Sequence, residues 1–387
     1  MIVRNEDFEL NMQPGPEAFA PPERVVYVDI ETTGLKASAA YIYLLGIVYY
    51  EGGFRIRQYF AEDMSDEEGM LRAFMQFICE RKAAAAPGRL LVLSYNGDTF
   101  DLPFIKNTAR QYAVKDELSD TVSIDLFRRL RPYKAFTGLP DLKLKTVEKL
   151  LGIYREDKYS GGDLIYVYEE YVRMGRIFPG SLDDNSNNHA LRKHLFNTLI
   201  LHNAEDIMNL PYLLRTLSYE SLLGGGFCLN HAELTEFEGE KFLELDFRLS
   251  YALPQPYEAE NEDWKLSISE KGSDRMSLLI KLYEGELKYF FEDYKNYYYL
   301  INEDYAVHCS IGEFVDKKAR KKATRATCYQ KRTGLFVPVA EELPGTSFYK
   351  EYKGCIRYAG YKEDMLSDET LLKNIALGII RKYGKNN

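Results

Sequence analysis

The sequence predicts an α/β domain, a mixed sheet flanked by helices, followed by a smaller α+β domain. Three observations carry this expectation. Over the first 220 or so residues, short β-branched apolar runs alternate with longer helical patterns. A glycine triplet, Gly224-Gly225-Gly226, then interrupts the chain. From about residue 240, FLELDFRLS, WKLSISE and MSLLIKLYEG alternate apolar and polar residues as half-buried strands do.

The elements follow in order. Residues 1–22 carry Pro14, Pro16, Pro21 and Pro22 and no periodicity, and read as a flexible tail. Strands are expected at Arg24–Ile30, Tyr41–Tyr50 and about 55–60, as a hairpin meander, with a fourth at Leu90–Ser94 joined by a crossover. A helix is expected from Ser65 to about Arg81, with Ser65 and Glu68 as a capping box, and another over 102–112. Further helices are expected at about 141–151, 163–174 and 190–217. This gives an α/β domain over 23–220, a linker over 221–239 and an α+β domain over 240–387. The second domain holds a hairpin turning at Lys271–Asp274 and closes with a helix near 368–382. A length of 387 residues is ample for two such cores.

Composition narrows the class. A net charge of −9 excludes a protein coated in phosphate-binding charge, although a local basic patch is enough to track a nucleic-acid backbone. Five cysteines without C-x-x-C spacing speak against a zinc or disulfide framework. The start, MIVRNEDFEL, lacks a signal-peptide pattern, and no apolar run approaches the length of a membrane span. The expected setting is cytoplasmic, with no membrane partner.

Three clusters carry chemistry. Asp29 and Glu31 end the first strand and, two residues apart, point to one face. Carboxylates this close repel unless a cation lies between them, and oxygen ligands favour Mg²⁺ or Mn²⁺. Alone, the pair is equally a strand end with two solvated acids. Ser94–Phe104 (SYNGDTFDLPF) joins a strand to a helix; Asp101 at the helix start suits a cap, and Asn96-Gly97 suits a turn. His202 and Asp206, four apart, share a helix face; a histidine beside apolar residues there is usually a satisfied core or surface histidine, and it can also serve as a base near neutral pH.

Taken together, D-x-E, N-x-x-x-F-D and H-x-x-x-D resemble the DEDD superfamily of 3′–5′ exonucleases, which have a ribonuclease H-like fold. DIETTGL and NGDTFD carry the first two motifs. LKTVEKLLGI, YSGGDLIYVYEEY and LHNAEDIMNL resemble the bacterial YprB-like branch, over about residues 23–220. The resemblance implies two divalent ions, Mg²⁺ or Mn²⁺, on Asp29, Glu31, Asp101 and Asp206, with His202 as general base. It implies hydrolysis of DNA or RNA from a single-stranded 3′ end. Thr32, Thr33, Gly34, Leu35 and Asn96 would then approach the terminal nucleotide. The third motif departs from the family's usual Tyr-x-x-x-Asp and His-x-x-x-x-Asp forms by pairing histidine with the shorter spacing.

In the second domain, Asp316 to Gly334 encloses eight positive residues and no acid. Lys318, Lys322 and Arg325 are expected on one helical face, either as a phosphate-tracking surface or as a solvated one. Tyr289–Leu300 (YFFEDYKNYYYL) reads as aromatic sheet core or as a base-stacking surface, and Glu303, Asp304 and His308 form a loose polar cluster. The alternative to an active exonuclease is a binding module that keeps the fold and has lost turnover. A third reading, DIETT as a phosphatase-like nucleophile strand, leaves Asp101, His202 and Asp206 without a role.

Overall fold

The computed structural model describes residues 1–10, 20–179, 187–268, 270–341 and 347–385. The chain divides into two compact units, 1–134 with 138–220, and 135–137 with 221–387.

The first unit is built on six strands: β1 (Ile2–Phe8), β2 (Val25–Thr32), β3 (Ile42–Tyr50), β4 (Phe54–Phe60), β5 (Leu91–Ser94) and β6 (Val122–Asp125). Their order is β1-β4-β3-β2-β5-β6. β1 to β4 pair antiparallel, whereas β2–β5 and β5–β6 are parallel. Strands β2 and β3 are buried almost throughout, which explains their near-continuous apolar sequences.

The helices along this part of the chain are α1 (Glu67–Ala85), α2 (Asp101–Gln111), α3 (Leu126–Leu130), α4 (Lys134–Thr137), α5 (Leu144–Leu151), α6 (Gly161–Ile177), α7 (Asn187–Met208), α8 (Leu210–Leu213) and α9 (Leu217–Leu223); all but the first residue of α4, and the end of α9, belong to the second unit. On one sheet face Val26, Val28 and Ile30 of β2 pack with Phe74 and Ile78 of α1 and with Leu102 and Ile105 of α2. On the other face Tyr43 and Phe60 pack with Tyr168 and Tyr171 of α6 and with Leu199 and Ile200 of α7.

Three expectations for this unit are corrected. Part of the 1–22 tail is strand: β1 pairs with β4 from Ile2↔Phe60 to Phe8↔Phe54. Its side chains are mostly exposed, as an edge strand permits, so it carries no apolar signal; positions 11–19 lie outside the described residues. The Ser65 capping box does not form. Asp63 accepts the Ser65 amide instead, and Glu68 pairs with Arg72. The helix expected over 190–217 ends at Met208 and is followed by short turns around Pro211.

The second unit is β-rich. Strands β7 (Phe227–Phe237), β8 (Glu240–Leu249), β9 (Tyr257–Glu260), β10 (Trp264–Ile268) and β11 (Arg275–Lys281) form a sheet ordered β7-β8-β11-β10-β9. The expected hairpin is present as β10–β11, with Trp264 opposite Ile280. β12 (Tyr283–Phe290), β16 (Tyr329–Val339) and β17 (Arg357–Gly360) form a second sheet; β13 (Tyr297–Leu300), β14 (Tyr305–His308) and β15 (Arg320–Lys322) form a third. α10 (Cys309–Gly312) is a single turn, and α11 (Glu369–Lys385) buries Leu372, Ile375, Ala376, Ile379 and Ile380.

Three further corrections follow. Most of the expected 221–239 linker is β7, paired along its length with β8. Lys318, Lys322 and Arg325 do not share a helix face: Lys322 is in β15, while Lys318 and Arg325 sit in turns. Asp304 and His308 do not converge. Asp304 accepts from the hydroxyls of Tyr299 and Tyr329 and pairs with Lys331, whereas the His308 ring bonds Ser310. Among the described residues, no helix is long and apolar enough to cross a membrane.

Candidate active site

Strand β2 delivers the first two carboxylates. Asp29 and Glu31 alternate with core residues Val28 and Ile30, so they leave the sheet on the face that α7 covers. A register shift between Glu31 and Thr32 bends the strand into the following loop. α7 comes close because β3 carries glycine at the position paired with Asp29. A Cβ on Gly46 would lie 2.2 Å from Asn203 Oδ1 and 2.7 Å from Ile207 Cδ1. Through that gap Asn203 Nδ2 donates to Asp29 Oδ2 at 3.0 Å, and Gln58 Nε2 holds the Asn203 oxygen at 2.9 Å.

α7 also supplies His202 and Asp206. His202 Nε2 lies 3.3 Å from Asp206 Oδ2 and 3.5 Å from Glu31 Oε1. Ligand atoms of Glu31, His202 and Asp206 all fall within 4.8 Å of one another. Asp101 is the first residue of α2, and its carboxylate is not a cap to that helix. It reaches across to β2 and accepts the Ile30 amide at 3.1 Å. The four carboxylates and the imidazole that the sequence singled out are thus brought together from β2, α2 and α7.

Their electrostatics describe a site short of positive charge. Burial, then the charges of Asp206, Asp101 and Glu31, push Asp29 well above the usual carboxylate range. Burial raises Glu31 to about 8 against the pull of His202, and raises Asp101 to about 7. Burial alone would lower His202. The Asp206 hydrogen bond and the charges of Asp206, Glu31 and Asp157 outweigh it and raise the imidazole to about 9. Asp206 is the exception: despite burial, His202 and Arg155 hold it low. Buried oxygen donors that resist ionising side by side are the donor set expected of a divalent-cation site, so these residues fit a divalent cation.

Four residues escaped the sequence reading. Asp157 Oδ2 accepts from His202 Nδ1 at 2.7 Å and from Lys145 Nζ at 2.7 Å. Arg155, almost fully buried, bridges Asp206 and Glu148, whose own carboxylate is buried. Asn203 is the fourth. Arg155 and Asp157 lie in the irregular segment between α5 and α6, where no periodicity marks a charged residue as inward-facing. The signal for Asn203 was Gly46, a glycine inside an apolar strand.

Thr32 is buried and its hydroxyl donates to the Gly34 carbonyl at 2.8 Å; Thr33 Oγ1 accepts the Tyr41 amide at 3.1 Å. Leu35 is 86% exposed. Asn96 has φ +65° and its side-chain oxygen accepts from Thr99, which makes it a turn residue. Asp125 at the end of β6 fixes that turn by accepting the amides of Asn96 and Asp98. Phe100 packs on the core beside Phe104. Lys318, Lys322 and Arg325 belong to the second unit.

A mixed six-stranded sheet with helices on both faces and acids gathered at the ends of β2 and α7 defines a ribonuclease H-like domain. The family model described as the RNase H superfamily matches residues 26–218. No curated protein matches the chain. Among solved structures, one of exonuclease I, on how processivity is achieved, shares 13% identity over 63% of this chain and 55% of its own, with a TM-score of 0.28. The zinc-bound E. coli exonuclease I complex with single-stranded DNA shares 12% over 94% and 69%, also at 0.28. This chain spans about half the length of the first of these.

Proposed function

We propose that the chain is a metal-dependent 3′–5′ exonuclease that hydrolyses phosphodiester bonds of DNA or RNA. We place it in the YprB-like branch of DEDD-type enzymes on the phrases quoted above. The observation that carries the reading is the buried convergence of Glu31, His202 and Asp206 beside Asp29 and Asp101.

Two divalent ions, held by Asp29, Glu31, Asp101 and Asp206, would supply an activated water and offset charge growing on the phosphate. The protein's own residues do the rest. The acids that raise His202 to about 9 would lose that hold once their charge is offset, freeing Nε2 to take the water's proton, while Asp157 fixes the ring through Nδ1. Asn203 orients Asp29, and Arg155 orients Asp206. The Thr32–Leu35 loop borders the terminal nucleotide, with Leu35 free to meet its base.

Arg155 also favours a second reading, a binding module without turnover, because its bond occupies one oxygen of Asp206. A single experiment separates the two. A 5′-labelled single-stranded oligonucleotide, DNA or RNA, is incubated with Mn²⁺ or Mg²⁺ beside an Asp29→Ala control. The exonuclease yields a ladder shortening from the 3′ end, abolished by EDTA and by the substitution. Wild-type protein inert on both polymers and on a recessed duplex would sink this reading and leave the binding module.

A further inference from the structure

The catalytic domain leaves the positive run of the second unit without a role. In the β14-β13-β15 sheet, β15 pairs with β13 so that Lys322 stands opposite Tyr298, Lys321 opposite Tyr299 and Arg320 opposite Leu300. The cations lie on tyrosine rings. Lys322 Nζ is 4.2 Å and the Arg320 guanidinium 4.4 Å from the Tyr298 centroid, and Lys321 Nζ is 5.2 Å from that of Tyr299. Arg325 stands 5.6 Å from Tyr294. Before them in the chain, Phe314 is 91% exposed.

The charge pattern separates this patch from an ordinary solvated surface. Elsewhere in the unit the basic side chains are spread out: Lys331 pairs with Asp304, Lys241 with Glu284, Lys281 with Glu240 and Arg248 with Asp274, while Lys288, Lys350, Lys373 and Lys382 lie singly over aromatic rings; the stretch 317–325 gathers six cations in nine positions. Among the described residues, Lys317, Lys318, Arg320, Lys321, Lys322 and Arg325 make no ion pair with a carboxylate within 4 Å. Six clustered cations without acids repel one another, and a polyanion relieves that repulsion by displacing small counterions. The exposed aromatic beside them offers a π-face that unstacked bases use and duplex bases do not. The exposed apolar side chains here, Ile301, Ile311 and Phe314, sit in turns and in the single turn α10 and not on an amphipathic helix of the kind that lies in a lipid face.

We propose that the β14-β13-β15 sheet, with Phe314 and Arg325, is a single-stranded nucleic-acid-binding surface. Phosphates run along Lys318, Lys322 and Arg325, and a base stacks on Phe314. This surface is distinct from the catalytic residues, and its binding does not need hydrolysis.

The test is fluorescence anisotropy of a labelled oligothymidylate against the full chain in EDTA, titrated with salt. The combined Lys318→Gln, Lys322→Gln and Arg325→Gln variant is expected to bind about tenfold more weakly or worse, with the slope of log K against log salt shallower by roughly 2. A matched variant in three paired cations (Lys241→Gln, Lys281→Gln, Arg248→Gln) should bind as wild type does. Phe314→Ala, at a fully accessible position that the fold does not use, should weaken binding by roughly fivefold or more and leave the slope alone. The proposal is overturned if the two triple variants bind equally, if Phe314→Ala binds as wild type does, or if wild type binds phosphatidylserine vesicles and not the oligonucleotide. Because EDTA removes turnover, binding with no exonuclease activity would support this surface while the catalytic reading fails.

Discussion

The two nitrogens of His202 do different work. Nδ1 is tied to Asp157, which must accept its proton, so Nε2 is the nitrogen turned toward Glu31 and Asp206. Asp157 is itself fixed by Lys145 and by the Tyr159 amide, so the ring has little freedom to turn. Asp157→Leu fills much of the same space but accepts nothing, so it no longer holds the proton on Nδ1 and admits the tautomer with the proton on Nε2. A base so blocked should lower kcat by about 10²-fold or more with KM nearly unchanged. The Asp157 charge also helps to raise His202, so its removal should move the acidic limb of the rate profile to lower pH. A pH profile of kcat decides the matter. An unshifted limb with only a lower yield of folded protein would make Asp157 structural.

At the scale of elements, the site depends on how closely α7 lies on β3, and Gly46 sets that distance. Gly46→Ala would drive a methyl group into the buried side chains of Asn203 and Ile207, so these must move, and the Asn203 bond that orients Asp29 goes with them. We expect a loss of about 1–3 kcal/mol in a urea melt, and a fall in turnover larger than the unfolded fraction accounts for. Gly53→Ala, where a Cβ meets nothing within 4 Å, is the control. Equal turnover in the two variants would remove Gly46 from the argument. The same elements explain what the sequence made legible. β2, β3 and β5 are buried, so their apolar runs announced them, and the motif acids at their ends followed. β1 and β7 lie at sheet edges with mostly exposed side chains, and read as tail and linker. The cations of 317–325 suggested a helix by spacing alone; pairing with β13, invisible to any local pattern, made part of the run a strand. Asp157 and Arg155 were hidden for a related reason, since an irregular segment has no period from which a buried charge stands out.

For the molecule as a whole, the acids that make the site cost stability when no cation is bound. Glu31 moves from 4.5 to about 8, Asp101 from 3.8 to about 7 and His202 from 6.5 to about 9 on folding. All three shifts are upward, so between about pH 4 and pH 9 the native state holds more protons than the unfolded chain. Stability therefore falls as pH rises through this window. Asp206, held low, acts the opposite way only below its ordinary value and does not change the sign here. The metal-free protein should melt on the order of 5 °C lower at pH 8 than at pH 5. A divalent ion binds the deprotonated acids, so Mn²⁺ should stabilise strongly at pH 8, by about 2.7 kcal/mol at a hundredfold excess over Kd, and little at pH 5. Glu31→Gln removes one of the opposed charges, and should raise the metal-free melting temperature at pH 8 while weakening the response to Mn²⁺. Calorimetry at the two pH values, with and without metal, gives the answer. A melting temperature that climbs from pH 5 to pH 8, or an equal metal effect at both, would mean that the acids are not held apart by charge and that the cation site has been misread.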